Sequence, residues 1–197
     1  CQRVPVDSVA GDVSVTAING GIQLGARAAE LGPNEAIVGS LGGQTYVIWN
    51  GVKSLIDPTD RIVLAALGID RQVVASPMPL TGALGNAIPS GLPLVDPAVP
   101  DAGSPSPWNL GAQTPVGAVV QSELPGQGTQ FFLVLKDGVQ QVAPTVAAML
   151  RSQNAFGAST PPVVSPDTLA GIPRVTIVQT SQYPPVPLRV IDPLQRP

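Results

Sequence analysis

Residues that could carry out catalysis are scarce in this sequence of 197 residues, and histidine is absent. Without an imidazole, Ser-His-Asp and Cys-His catalysis are excluded, and so are metal sites that need a histidine ligand. The closest pair of acidic residues is Asp57 and Asp60, which could transfer protons or hold a cation. Capping of a predicted helix already explains both residues. The sequence therefore predicts no catalytic residue, no metal site and no cofactor.

The positions of glycine and lysine do not support nucleotide binding. A phosphate-binding loop of the G-x-x-x-x-G-K-[ST] kind needs lysine directly after glycine, but Lys53 follows Val52 and Lys136 follows Leu135. The glycine-rich run 20–25 lacks the spacing of a dinucleotide-binding loop and is more typical of a turn. The net charge of −3, with two lysines in the whole chain, argues against nucleic acid as a partner. These patterns predict a protein that is not an enzyme.

Cys1 is the single cysteine, so a disulfide within this chain is impossible, and any disulfide partner would lie outside it. A free thiol without a role is the alternative. The absence of an initiator methionine favours a fragment of a longer chain. Prolines interrupt the two longest charge-free windows, 72–95 and 102–122, which leaves no run of about 20 apolar residues. A membrane anchor or a signal peptide is therefore expected, if at all, outside these residues.

Strands joined by tight turns are the elements that the first half of the sequence predicts. Prolines number 23 and glycines 21, and 44% of the residues are hydrophobic. The alternating or apolar runs are 12–18, 36–40, 45–49 and 52–56. Asn50-Gly51 predicts a type I′ hairpin between the last two runs, because both central positions of this turn need positive φ. A short helix should follow, with Asp57 as N-cap, Pro58 at its first position and an end near Gly68.

The second half repeats this order of elements. Its predicted strands are 116–122, 130–135 and 139–143, with a turn at Asp137-Gly138 and a helix from Pro144. Asp137-Gly138 stands 87 residues after Asn50-Gly51, whereas Pro144 stands 86 residues after Pro58. The difference predicts a one-residue deletion in the second return strand. Each half also ends in Ile-Pro, at 88–89 and at 172–173.

These similarities predict an α+β fold of mostly antiparallel strands with short helices. Two pseudo-symmetric hairpin-helix repeats, at about 36–89 and 118–173, should share one core, since a unit this small cannot bury its sheet alone. Chance similarity is the alternative. The proline-rich connector 88–108 is expected to be a stiff, extended spacer, or else a strip for a polyproline-reading partner. A further strand is predicted at 174–179, and an extended segment at 183–193.

The two tryptophans have different predicted roles. Trp49 stands on a predicted strand and is expected in the core. Trp108 ends the proline-rich connector and is expected to anchor it, with a ligand platform as the alternative. Asp70 and Arg71, just after the first predicted helix, are expected to form a solvated end. These predictions leave a scaffold or interaction domain as the favoured class.

Two segments resemble the EccB family of actinobacterial type VII (ESX) secretion systems. They are YVIWNGVKSLIDPTDRIVLAALGI and, further on, LGNAIPSGLPLVDPAVPDAG. The matching positions are Gly51, Ile56, Asp57, Asp60, Arg61, Asn86, Ala87, Ile88 and Pro89. FFLVLKDGVQQV is similar to the second hairpin of the family. The resemblance covers about 36–145 well and the remainder loosely.

The resemblance implies that residues 1–197 are a single periplasmic core domain, the central fragment of a larger protein. Such a protein has a cytoplasmic N-terminus and one membrane helix, which lies outside this chain. Its implied partners are the other ESX membrane components, including the motor ATPase, a mycosin protease and further copies of itself. Cys1 would pair with a cysteine near the C-terminal end of the family's domain, outside this chain. ATP hydrolysis, sometimes attributed to the family, is assigned to no residue here.

Three functions follow as hypotheses. The favoured one is a non-catalytic structural component of a type VII secretion membrane complex, which mediates oligomerisation and partner docking on the periplasmic side. The alternative is a peptidoglycan-binding module of the cell wall, against which the 4% of aromatic residues argues weakly. A nucleotide hydrolase is disfavoured, because the sequence has no phosphate-binding loop.

Overall fold

Two sheets and five short helices make up the part of the chain that the computed structural model describes, which is residues 30–110, 114–124, 126 and 128–192. In chain order, the elements are β1 (Glu35–Leu41), β2 (Gln44–Trp49), β3 (Val52–Ile56), α1 (Arg61–Leu67), α2 (Arg71–Ala75), β4 (Met78–Pro79), α3 (Gly82–Ala87), β5 (Val119–Leu124), β6 (Gly128–Leu135), β7 (Gly138–Val142), α4 (Pro144–Gln153), α5 (Pro166–Ala170) and β8 (Arg189–Val190). The predicted strand 12–18, the glycine-rich run 20–25 and Cys1 lie outside the described residues. The elements confirm the α+β class.

The first sheet has the strand order β3-β2-β1-β4, and β8 also pairs with β1. The pairs among β1, β2 and β3 are antiparallel, whereas β4 and β8 run parallel to β1. Asn50 and Gly51 join β2 to β3 with φ angles of 49° and 77°. These angles are the positive φ values that the predicted type I′ turn requires.

The first helix, α1, begins after Asp60 rather than after Asp57. Asp60 Oδ1 accepts hydrogen bonds from the backbone nitrogens of Ile62 and Val63, each at 3.0 Å. The prediction that Asp57 caps this helix is wrong, because Asp57 instead closes the preceding turn. The helix ends at Gly68 with a φ of 72°, as predicted. The helices α2 and α3 were not predicted, since runs of five and six residues are too short to show a helical period.

The second sheet, with the strand order β5-β6-β7, corrects the position of the predicted hairpin turn. Leu135 pairs with Gly138, so the two loop residues are Lys136 and Asp137. Gly138 begins β7, where a Cβ atom would lie 2.2 Å from the carbonyl oxygen of Pro173. The strands β3 and β7 both have five residues. The predicted one-residue deletion in the return strand is therefore wrong.

Both halves close in a similar way after their last helix. The carbonyl oxygen of Pro89 accepts a hydrogen bond from the backbone nitrogen of Lys53 in β3, at 2.9 Å. Pro173 accepts an equivalent bond from Val139 in β7, also at 2.9 Å. Each Ile-Pro segment thereby runs parallel to the third strand of its half. This pattern supports the predicted repeats, and a three-dimensional pseudo-symmetry between the halves stays a prediction.

Two apolar clusters form the core. The first cluster contains side chains from both sheets and from α1 and α4, among them Ala36, Val47, Ile56, Leu64, Leu67, Leu133, Leu135, Val146 and Met149. The second cluster covers the opposite face of the second sheet and contains Leu110, Ala118, Val120, Phe132, Val134, Val139, Val164, Leu169 and Ile172. Successive residues of β6 alternate between the clusters, as the period of a strand requires. The second sheet is thus buried on both faces, while one face of the first sheet belongs to neither cluster.

The C-terminal strap, defined as residues 174–192, runs from the second half to the first. The predicted strand 174–179 is wrong, because the side chain of Gln140 takes the place of a partner strand. Gln140 Oε1 accepts hydrogen bonds from the backbone nitrogens of Ile177 and Val178, each at 2.9 Å, and its Nε2 donates to the oxygen of Val178 at 2.7 Å. Further along, the nitrogen of Leu188 donates to the oxygen of Leu67 at 2.8 Å. The strap therefore fastens the second half to α1 and β1.

Candidate interaction site

The acidic pair that could have carried chemistry is occupied by local hydrogen bonds. Asp57 Oδ1 accepts from the hydroxyl of Thr59 at 2.7 Å and from its backbone nitrogen at 2.8 Å. The Thr59 hydroxyl, and then its amide, hold the pKa of the Asp57 carboxyl below its usual value. Asp60 is the N-cap of α1. Both carboxylates are therefore engaged by neighbouring residues: Asp60 caps α1, as a helix-capping role requires, whereas Asp57 bonds Thr59 in the turn before it.

The described residues contain neither a cluster of metal ligands nor a membrane-spanning helix. No group of three or more His, Cys, Asp or Glu side chains is placed to hold a metal ion there. Across the same part of the chain, no helix combines the length and the apolar character needed to cross a bilayer. The longest of the helices given above, α4, has ten residues.

The two tryptophans occupy different environments. Trp49 is half-buried at the edge of the first cluster, and its Nε1 donates a hydrogen bond to the oxygen of Pro33 at 2.8 Å. The prediction of a core position is therefore only partly met. Trp108 packs against the second cluster, and its Nε1 donates to the oxygen of Leu135 at 2.8 Å. This bond ties the connector to β6, as the predicted anchoring role requires.

Extended segments cover the outer edges of the sheets. Beside β3, the nitrogens of Gly91 and Leu94 in the connector donate to the oxygens of Lys53 and Leu55, each at 2.9 Å. Residues 173–175 cover β7 in the same way, and residues 162–164 cover β5. Because these segments contain prolines, they leave few free backbone donors for another strand. Within the described residues, a partner must therefore recognise side chains rather than add a strand to these edges.

An aromatic cleft lies where the end of the connector meets the turn at Phe156. It has a volume of about 570 Å³ and is lined by Gly103, Pro105, Ser106, Trp108, Thr114, Pro115 and Phe156. The backbone of Phe156 has a φ of 49°, a left-handed conformation that is unusual for this residue type. Its nitrogen donates to Asn154 Oδ1 at 2.8 Å, which helps to hold this conformation. The aromatic cleft thus has two fixed rings and no charged group among these lining residues.

A second cavity of about 350 Å³ adjoins the aromatic cleft, and Phe156 lines both. Asp96 lines this second cavity, and its Oδ1 atom is buried without a hydrogen-bond partner. Burial raises the pKa of the Asp96 carboxyl, a hydrogen bond from Gln153 opposes the rise, and the charge of Asp60 adds to it. Burial also raises the pKa of Tyr183 in the C-terminal strap. At Asp96, the connector therefore carries a carboxyl group whose charged form is disfavoured.

Sequence reasoning did not identify Phe156 or Asp96. Asn154 and Gly157 flank Phe156, and these residue types are typical of turns, so a turn could have been predicted. The sequence gives no sign that this turn meets the connector. Asp70 and Arg71 lie where they were expected, at an exposed position where Asp70 caps α2.

Comparison with known proteins gives the family of the chain. A family model described as type VII secretion system ESX-1, transport TM domain B, matches residues 1–197. The chain belongs to the EccB family. Among curated relatives, the ESX-2 secretion system ATPase EccB2 of Mycobacterium tuberculosis is 44% identical over 178 residues, which cover 90% of this chain and 35% of that protein. The ESX-3 secretion system ATPase EccB3 of the same species is 39% identical over 198 residues, covering 96% of this chain and 36% of that protein.

Solved structures of EccB relatives have the same fold. A chain from the periplasmic assembly of the ESX-5 inner membrane complex aligns with a TM-score of 0.72 and 40% identity, over 82% of this chain and 39% of that chain. A chain of the EccB3 dimer from the ESX-3 core complex aligns with a TM-score of 0.75 and 35% identity, over 85% of this chain and 42% of that chain. These findings confirm the resemblance seen in the sequence. The chain spans about a third of the length of the curated relatives that it matches.

Proposed function

We propose that this chain is a non-catalytic structural component of a type VII secretion membrane complex. In this role it lies on the periplasmic side of the inner membrane, contributes to oligomerisation and offers surfaces to partner proteins. The observation that carries the proposal is the similarity, over 82% of the chain, to a structure described as a periplasmic assembly from an ESX-5 inner membrane complex. The EccB3 dimer adds support for contacts between copies.

The chemistry of the described residues supports a non-catalytic role. Asp57 and Asp60 are engaged by local hydrogen bonds. Lys53 is 8% exposed, and its Nζ donates to the oxygen of Ile88 at 2.6 Å, so its ammonium is already engaged by the backbone. The relatives carry the word ATPase in their names. We assign no hydrolytic step to residues of this chain.

The proposed partners are those that the family resemblance implies: the other ESX membrane components, including the motor ATPase, a mycosin protease and further EccB copies. The membrane contact is assigned to a helix outside this chain. Cys1 is proposed to form a disulfide with a cysteine that is also outside it. Apolar side chains on the connector offer one docking surface, since Leu92 and Val95 are 52% and 53% exposed.

Native purification of the full-length protein in mild detergent, followed by mass spectrometry of the co-purifying chains, tests the proposal. We expect a large complex that contains the motor ATPase and other membrane components. A Leu92→Glu variant should reduce the amount of co-purifying partner, whereas the matched control Ser90→Glu, which adds the same charge two residues away, should not. A protein that is reproducibly free of partners would overturn the assembly role and favour cell-wall binding.

A further inference from the structure

The aromatic cleft has the size and chemistry of a binding site rather than of a packing defect. Its volume of about 570 Å³ falls within the range of roughly 300–1,000 Å³ found for ligand pockets. The described lining residues contain two aromatic rings, two prolines and two hydroxyl groups, and none of them is charged. A ligand that suits these walls is uncharged and presents apolar rings or small aliphatic groups.

Both aromatic rings of the cleft are held in place before any ligand arrives. The indole N–H of Trp108 is already used by the oxygen of Leu135, so the indole offers a partner its ring surface and no donor. The backbone of Phe156 is held in its left-handed conformation by the bond from its nitrogen to Asn154, and its ring packs against the second cluster. Rings that are fixed in advance lose little freedom on binding, which favours affinity.

Ser106 supplies the polar part of the site. Its Oγ accepts a hydrogen bond from the nitrogen of Trp108 at 3.2 Å, which leaves its own hydroxyl proton able to donate. A backbone carbonyl of an extended peptide is a suitable acceptor for such a donor. Aromatic-lined grooves with a few hydrogen-bonding groups are the surfaces that bind proline-rich segments, which are extended before binding.

We infer that the aromatic cleft binds an uncharged, proline-containing peptide segment in the extended polyproline II conformation. The covered edges of β3, β5 and β7 agree with this inference. Because a partner cannot add a strand at these edges, it has to be recognised there through side chains. The inference deepens the proposed assembly role. It rests on that role in one respect, which is that the peptide belongs to a partner protein. Binding of the peptide itself is measurable on this chain alone.

Other ligand classes fit the described walls less well. A phosphate-bearing ligand requires cationic side chains or a nest of backbone donors, and no lysine or arginine is among these lining residues. A cell-wall glycan needs several planar or charged hydrogen-bonding groups beside a stacking ring. Here the side-chain hydroxyls of Ser106 and Thr114 are the polar groups of the described lining. The glycan is therefore the competing outcome of the test.

Fluorescence of Trp108 reports binding directly once the other tryptophan is replaced. In a Trp49→Phe background, Trp108 is the sole tryptophan of the chain. The protein is titrated with a capped peptide of alternating alanine and proline, with a glycine-serine peptide of equal length, and with chitotetraose. We expect a saturable change in Trp108 emission with the alanine-proline peptide, and no saturable change with the other two.

A pair of connector variants distinguishes the cleft from the rest of the surface. Pro105 lines the cleft, whereas Pro107 is also exposed but is not among the described lining residues. Pro105→Asp places a charge where the ligand would bury it, and should weaken peptide binding by about tenfold or more. Pro107→Asp adds the same charge nearby and should leave binding within about twofold. Thermal unfolding of both variants verifies that each is folded.

Three results would overturn the inference. One is the absence of any saturable signal with the alanine-proline peptide. Another is an equal loss of binding in both aspartate variants. The third is cleft-dependent binding of chitotetraose in place of the peptide, which would assign the site to a glycan. None of these results bears on co-purification of the membrane complex, so the failure of this inference and the failure of the assembly role are distinguishable.

Discussion

The two halves of the molecule have the same order of three strands and a helix, yet they bury one equivalent position in different ways. Val139 in β7 is fully buried in the second cluster, on the covered outer face of the second sheet. Its counterpart Lys53, which makes the same backbone bond to an Ile-Pro segment, sends its ammonium to the oxygen of Ile88. Ile88 is the C-cap of α3, where a cation is favourable.

This difference shows that a shared backbone pattern does not fix how a sheet face is used. The second sheet has apolar side chains on both faces, and each face packs in one of the two clusters. In the first sheet, Ile37, Ile48 and Leu55 lie on a face that belongs to neither cluster. We expect the second half to dominate stability, and the half-buried Ile37 and Leu55 on the outer face of the first sheet to tolerate polar replacements better than the buried Ile48.

A lysine at the position of the second half that is equivalent to Lys53 should give the largest effect. Val139→Lys would bury an ammonium in the second cluster, close to Phe132, whose ring already carries the Arg174 guanidinium at 4.3 Å. We expect a loss of more than about 4 kcal/mol in the free energy of unfolding, or no folding at all. In the first half, Lys53→Met removes the charge and should change the free energy of unfolding by no more than about 1 kcal/mol. Urea unfolding measures both, and equal losses would refute the difference between the halves.

A methyl group at the first residue of β7 should have the next largest effect. In Gly138→Ala, the new Cβ would meet the oxygen of Pro173 at 2.2 Å, and backbone cannot yield as a flexible side chain does. The expected loss is more than about 3 kcal/mol. The matched control is Gly43→Ala, where φ is 80° but no atom lies within 4 Å. The control should lose about 1–2 kcal/mol through backbone strain alone, and a similar loss for both variants would contradict the close approach.

Removal of the helix cap in the first half should have a moderate effect. Asp60→Ala leaves the amides of Ile62 and Val63 without their acceptor and should cost about 1 kcal/mol. The helix α4 has Ala143 at the N-cap and no side-chain bond, so the second half has no equivalent carboxylate to lose. Asp57→Ala is the control and should cost less, since Asp57 closes an exposed turn. Thermal melts compare the two, and a larger loss for Asp57→Ala would restore the original assignment of the cap.

The smallest expected effect concerns pH, at the point where the connector meets both halves. The raised pKa of Asp96 means that the folded state holds this proton more tightly than the unfolded state does. The contribution of this proton to folding stability is therefore complete below 3.8, the usual pKa of the carboxyl group. It is lost as pH rises through the raised folded-state pKa. The charged or titratable groups that act with it are Asp60 and Tyr183.

Unfolding midpoints of the parent and of Asp96→Asn, measured across the acidic range, check this prediction. The parent should lose stability relative to the variant as pH rises. The lowered pKa of Asp57 changes stability with pH in the opposite direction. The contribution of the Asp57 carboxylate to folding stability is present above 3.8 and is lost as pH falls through its lower folded-state pKa. If the unfolding midpoints of the parent and of Asp96→Asn changed in parallel with pH, Asp96 would contribute nothing to the pH dependence of stability.

Features that depend on neighbouring residues were predictable from the sequence, and features that depend on distant ones were not. Asn50-Gly51 and Gly68 have the conformations that their local patterns predict. Gly138 was predicted as the second residue of such a turn, but glycine is needed there because Pro173 approaches it. Gln140 bonds a segment 37 residues away, so no local pattern could show that it replaces a strand. The aromatic cleft was missed for the same reason, since its two rings come from separate segments.

The pairing of β8 with β1 has a consequence for how the molecule bears mechanical load. The nitrogens of Arg189 and Ile191 donate to the oxygens of Asn34 and Ala36, at 2.8 and 2.9 Å, between parallel strands. Tension applied between residues 30 and 192 would pull these strands in opposite directions along their length. The two bonds would then be loaded together in shear rather than opened one after the other. A pull along the chain would thus meet its first resistance at this pair of strands, before it reached the two clusters.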